Sequence, residues 1–154
     1  MDEFDSWKAH EALSWLRYVR SEHLKTVALQ DEIDVMRSLA LSGQDTTREK
    51  VQQQPRDQVA EAASRLIEMT REFCAQLATI ADISWDAHSR LMRLEDARYT
   101  QVLVLYYVDG NTWAAVADKM GYEPETCMRL RTEALPYVWD VMPAEWRTAI
   151  PRAD

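Results

Sequence analysis

The stretch Arg98–Leu135 reads RYTQVLVLYYVDGNTWAAVADKMGYEPETCMRLRTEAL, and its punctuation decides the fold. Glu95-Asp96 offers an N-cap, and Arg98 to Val108 gathers Tyr99, Val102, Leu103, Leu105, Tyr106 and Val108 into one short apolar helix. Asp109-Gly110 stops it. Thr112 then caps a second short helix, Trp113 to Met120, whose inner side is Trp113, Val116, Ala117 and Met120. Gly121 supplies the left-handed residue of a turn, Gly121-Tyr122-Glu123. Pro124 suits the first turn of a third helix that reaches about Trp139, with Pro136 expected to bend or end it. On that helix Cys127, Leu130, Ala134 and Leu135 face inward, while Glu125, Thr126, Met128, Arg129, Arg131 and Thr132 face out.

Short helix, glycine turn, third helix is a helix-turn-helix arrangement. In such a unit the third helix enters the major groove of duplex DNA and its first turns reach base edges. Arg129 and Arg131 suit guanine or phosphate, and Thr126 suits phosphate or a thymine methyl. The candidate DNA-binding residues are therefore Thr112, Thr126, Met128, Arg129, Arg131 and Thr132.

Upstream, Ser6 to Leu41 contains neither Gly nor Pro, and Leu29, Ile33, Met36 and Ala40 recur at helical spacing. This predicts a helix of roughly 35 residues, about 50 Å long. Gly43 suits its C-terminus, and the polar run Ser42 to Pro55 reads as a loop of about 14 residues. From Arg56 to Leu94, the residues Val59, Ala63, Leu66, Thr70, Phe73, Leu77, Ile80, Ser84, Ala87, Leu91 and Leu94 alternate steps of 4 and 3, the narrow seam of a coiled coil. Two such helices joined by one loop predict an antiparallel hairpin. The expected fold is all-α: residues 1–94 a long coiled-coil-like hairpin for oligomerisation or docking, and residues 95–154 a three-helix helix-turn-helix domain with an aromatic tail. Trp7, Trp15 and Trp85 near the open end of the hairpin, with Trp139 and Trp146 of the tail, are candidate oligomer or partner contacts. For the tail, packing back on the helix-turn-helix is the first reading and a subunit or polymerase contact the second.

The chain has 154 residues, a net charge of −8, three Gly and five Pro. So few turn formers argue against an all-β fold. No run of 18 uncharged apolar residues is present, so no membrane span is expected. The N-terminus MDEFDSWK lacks the apolar core of a signal peptide, and Cys74 and Cys127 are too few for a disulfide framework. A reduced, cytoplasmic protein is the expectation. His10 and His88 could approach each other at the hairpin ends, near Glu11 or Asp86, but two histidines define no metal site. No phosphate loop or catalytic signature occurs, so neither an enzyme nor a cofactor is expected.

The Arg98–Leu135 stretch resembles the region-four helix-turn-helix of sigma factors. More closely, it resembles the phage-encoded RinA/ArpU-like transcriptional regulators, which place such a domain after a long helical region. The positions that carry the resemblance include Arg98, Asp109, Gly110, Thr112, Trp113, Val116, Ala117, Gly121, Tyr122, Thr126, Arg129 and Leu130. Ala114 and Ala115 depart from it by replacing an acidic pair, and Glu123 departs by replacing a Ser or Thr. The resemblance implies a DNA-binding regulator of phage or prophage genes, with double-stranded DNA as partner, working as a homo-oligomer or with RNA polymerase. Two alternatives share the architecture: a small terminase-like DNA-packaging subunit, and an interaction module that does not bind DNA. Charge favours the last, because residues 96–154 hold six basic side chains against nine acidic ones, with Glu123 and Glu125 at the start of the third helix.

Overall fold

The computed structural model describes residues 3–46 and 56–148 of the chain. Every regular element among the described residues is helical. Helix α1 spans Glu3–Thr46, α2 Arg56–Leu91, α3 Ala97–Leu103, α4 Trp113–Met120 and α5 Pro124–Val141. A π-helical turn, Val104–Val108, continues α3, and a 3-10 turn, Ala144–Trp146, follows α5. No helix among the described residues is long and apolar enough to cross a membrane.

Several boundaries differ from the sequence expectation. Helix α1 runs through Gly43 to Thr46 instead of ending near Leu41. A glycine inside a helix costs only about 1 kcal/mol, and no proline occurs before Pro55. The rest of the expected loop, residues 47–55, lies outside the described residues. Pro136 neither ends nor breaks α5, which continues to Val141.

The chain divides into two compact units, and the division does not follow residues 94 and 95. The first comprises residues 1–23 with 82–154; the second comprises residues 24–81. In the first unit, Ala12, Trp15, Leu16 and Val19 of α1 form a helical stripe buried with Ala87 and Leu91 of α2. The same core takes Val102, Leu103, Tyr107 and Val108, then Val116 and Ala117, then Cys127, Leu130, Ala134, Leu135 and Val138. Each large aliphatic side chain buried there contributes about 1.5–3 kcal/mol. The start of α1 is therefore part of this core. In the second unit the burial is sparser. Ile33 and Ile80 are buried, but Val59 and Leu77 of the expected seam remain 61% and 44% exposed. Along the seam Leu66 and Phe73 are half-buried, and full burial comes at Ile80, Ala87 and Leu91.

Local chemistry sets the helix ends in the first unit. Asp96 caps α3 by accepting from the Arg98 amide at 2.9 Å, and Arg98 also bonds the carboxylate from its side chain. Those hydrogen bonds from Arg98 hold the Asp96 carboxyl below its usual pKa. The Thr112 hydroxyl accepts from the Ala115 amide at 3.2 Å and caps α4. Gly121 ends α4 at φ +72°, and Pro124 opens α5. Beyond α5, Glu11 of α1 fastens the chain. It is a buried carboxylate that accepts from the Trp139 indole at 2.7 Å and from the Thr148 amide at 2.9 Å, and also from the Thr148 hydroxyl. Burial pushes the Glu11 carboxyl up, but the Thr148 and Trp139 hydrogen bonds, with the charge of His10, outweigh it and leave the pKa lowered.

Two predictions follow from these contacts. A carboxyl with a depressed folded pKa contributes stability above its unfolded value near 4.5, and that contribution fades as pH falls through the folded value. Urea unfolding from pH 7 to pH 3 should show this acid loss in the parent chain and a shallower one in Glu11→Gln, which should also be less stable by about 1–3 kcal/mol at neutral pH. The second concerns the two left-handed glycines, Gly110 (φ +75°) and Gly121 (φ +72°). A Cβ at Gly110 would strike the His23 ring, whereas one at Gly121 meets nothing within 4 Å. Gly121→Ala should cost about 1–2 kcal/mol from backbone strain alone. Gly110→Ala should cost more, and His23→Ala should recover the excess in a double-mutant cycle.

Candidate nucleic-acid interface

Helices α4 and α5 meet through the three-residue turn at Gly121-Tyr122-Glu123. Cys127, Leu130, Ala134 and Leu135 hold α5 to the core by its inner face. The outer face carries Glu125, Met128, Arg129 and Thr132, all exposed, with Thr126 half-buried beside them. The sequence-predicted candidates do not form one equivalent set. Met128 is 42% exposed. Arg129 reaches Glu133 one turn along at 3.6 Å; both side chains are exposed, so the pair is weak and easily exchanged for another anion. Thr132 spends its hydroxyl proton on the Met128 carbonyl at 3.0 Å, and Thr112 is engaged as the α4 cap.

Arg131 differs most from expectation. Its guanidinium lies 5.7 Å from the centre of the Trp113 ring, and its Nε is buried with no hydrogen-bond partner in the structure. Burial raises the Tyr107 pKa, and the nearby Arg131 and Arg17 cations pull against the rise. Arg131 is thus half-buried and packs on Trp113, whereas the sequence reading places it facing out.

Trp113 belongs to a column of rings and cations. Its indole stacks on Tyr106 at 3.9 Å with 14° between planes, and the Arg20 guanidinium lies 3.9 Å from the Tyr106 ring centre. Arg20 also donates to the Tyr106 carbonyl and, at 3.0 Å, to the Asn111 carbonyl. The π turn presents these groups: the Asp109 amide reaches back five residues to the Val104 carbonyl at 2.9 Å. Tyr107 is then buried while Tyr106 turns toward α1 and α4. Asn111 closes the arrangement, donating to the Leu105 carbonyl at 2.9 Å and accepting from Lys119 at 3.0 Å. The sequence reading missed Arg20, Tyr106 and Asn111. Arg20 lies 86 residues from Tyr106, and no local pattern pairs them.

The tryptophans also separate. Trp15 is 2% exposed and is a core residue, so it is not available as a partner contact; its place on the buried stripe of α1 explains this. Trp139 packs against Phe4 and Trp7 at ring distances of 6.3 Å, and Trp146 against Tyr18 at 5.0 Å. The aromatic tail therefore packs back on the first unit. Trp85 is 74% exposed and stacks on His88. Among the described residues no three His, Cys, Asp or Glu side chains gather as a metal site would require.

The contrast between the two arginines of α5 can be measured. Arg131→Ala should lower stability by about 1–2 kcal/mol through lost packing and cation–π contact, and Arg129→Ala should stay within about 0.5 kcal/mol of the parent in thermal or urea unfolding.

Comparison with known proteins finds no family model, no curated protein and no solved structure that matches this chain.

Proposed function

We propose that the protein is a DNA-binding transcriptional regulator of the phage or prophage type, with a long antiparallel helical hairpin followed by a three-helix helix-turn-helix. Helix α5 is the reading helix, and Arg129 is its principal base or phosphate contact. The observation that carries this reading is the outer face of α5. It begins directly after the glycine turn and offers Met128, Arg129 and Thr132 to solvent, while Cys127 and Leu130 anchor the other side. Arg131 ties the helix to Trp113 of α4.

Oligomerisation completes the proposal. One acidic copy neutralises few phosphates, so useful affinity needs a second copy or RNA polymerase. The exposed Val59, Ile67 and Leu77 of α2 and the exposed Trp85 are among the apolar side chains open to such partners. Glu123 and Glu125, both exposed at the start of α5, favour the second reading, an interaction module with no DNA partner.

The test is binding to duplexes carrying prophage late-promoter sequences against random duplexes, across a salt series, with the assembly mass measured in parallel. A sequence-specific complex that Arg129→Ala weakens about tenfold supports the regulator. A ring-sized assembly points instead to DNA packaging. Absence of binding at low salt, with and without polymerase, leaves the interaction module.

A further inference from the structure

Residues 1–23 hold five acidic side chains against three basic ones, yet folding sets the α1 cation Arg20 against the connection between α3 and α4. Arg20 of α1 and Lys119 of α4 both bond Asn111, the first at its carbonyl and the second at its side-chain oxygen. Arg17 lies three residues before Arg20 on α1, the spacing that makes helix residues neighbours, and its side chain is exposed. Its charge acts on the Tyr107 hydroxyl, as that of Arg131 does. Cations from three helices thus converge on the segment Tyr106–Trp113, whose own carboxylate is Asp109. The exposed carboxylates of that segment and of α4 are Asp109 and, beside Lys119, Asp118. The segment adjoins α5, since Arg131 reaches from that helix onto Trp113.

We infer that Arg17 and Lys119 form a phosphate-contacting surface beside α5, held in place by the Arg20–Tyr106–Trp113 column, and that it grips the backbone of duplex DNA. This rests on the DNA-binding reading above and extends it to α1. Arg20 and Arg131 are the half-buried ends of the column; Arg17 and Lys119 are the exposed members. Phosphate contacts of this kind carry no sequence information but set register and add salt-dependent affinity.

The experiment measures affinity for a random-sequence duplex as a function of salt, using the full chain. Each phosphate contact contributes about 0.9 to the slope of log K against log salt, so Arg17→Ala and Lys119→Ala should each lower it by about that amount and the double variant by about twice. Arg93→Ala removes an equal charge from an exposed site outside the cluster and should leave the slope unchanged. Melting curves should show the Arg17 variant folded, because that side chain is exposed. Equal slopes for the parent, Arg17→Ala and Lys119→Ala, in a parent that does bind the duplex, would overturn the inference and spare the DNA-binding reading. A parent chain that binds no duplex at low salt would overturn both.

Discussion

The Arg20 guanidinium is the contact on which the first unit depends. It covers the Tyr106 ring and bonds the carbonyls of Tyr106 and Asn111, so a single side chain of α1 fixes the exit of α3 and the entry to α4. A π turn leaves carbonyls that ordinary helical pairing would satisfy, and buried carbonyls need donors. Arg20 and the Asn111 amide supply them at Tyr106 and Leu105. The stack of Tyr106 on Trp113 then sets α4, and Arg131 on Trp113 carries the constraint into α5.

This arrangement changes how the acidic composition bears on function. Counting charges along the C-terminal sixty residues treats them as a separate body, yet residues 1–23 belong to the same compact unit. Arg17 and Arg20 arrive with the core stripe of Ala12, Trp15, Leu16 and Val19, because exposed and buried positions alternate around one helix. Glu11 enters by the same route and is spent internally on Trp139 and Thr148. Of the charges that α1 brings, Arg20 bonds the α3–α4 connection, Lys8 lies over the Phe4 and Trp139 rings, and Glu11 is consumed in holding the tail.

Much of the local structure was legible in the residues themselves. Thr112 at the cap, Trp113–Met120 as a helix, Gly121 in the left-handed region and Pro124 in the first turn of α5 all stand where capping and backbone chemistry place them. The inward set Cys127, Leu130, Ala134 and Leu135 followed from periodicity and is buried. The π turn was not legible, because Val104-Leu105-Tyr106-Tyr107-Val108 is apolar at every position and shows no period to interrupt. The end of α1 was misplaced because Gly43 is a permissive residue that a long helix tolerates, and α5 continues past Pro136 to Val141, its inner residues Ala134, Leu135 and Val138 buried on both sides of the proline.

Caps, turns and buried stripes depend on residues within a few positions of one another, so their chemistry is written in order along the chain. Which arginine is free and which is packing depends on partners far apart in that order. Arg129 and Arg131 look alike on the third helix, and only the arrival of Trp113 beneath Arg131 distinguishes them. Likewise, five heptads of even spacing describe a seam without saying how far it is covered; burial at Ile80 and Leu91 with exposure at Val59 is a property of the folded chain. Local propensity chose the helices, and long-range packing chose which of their side chains remain for a partner.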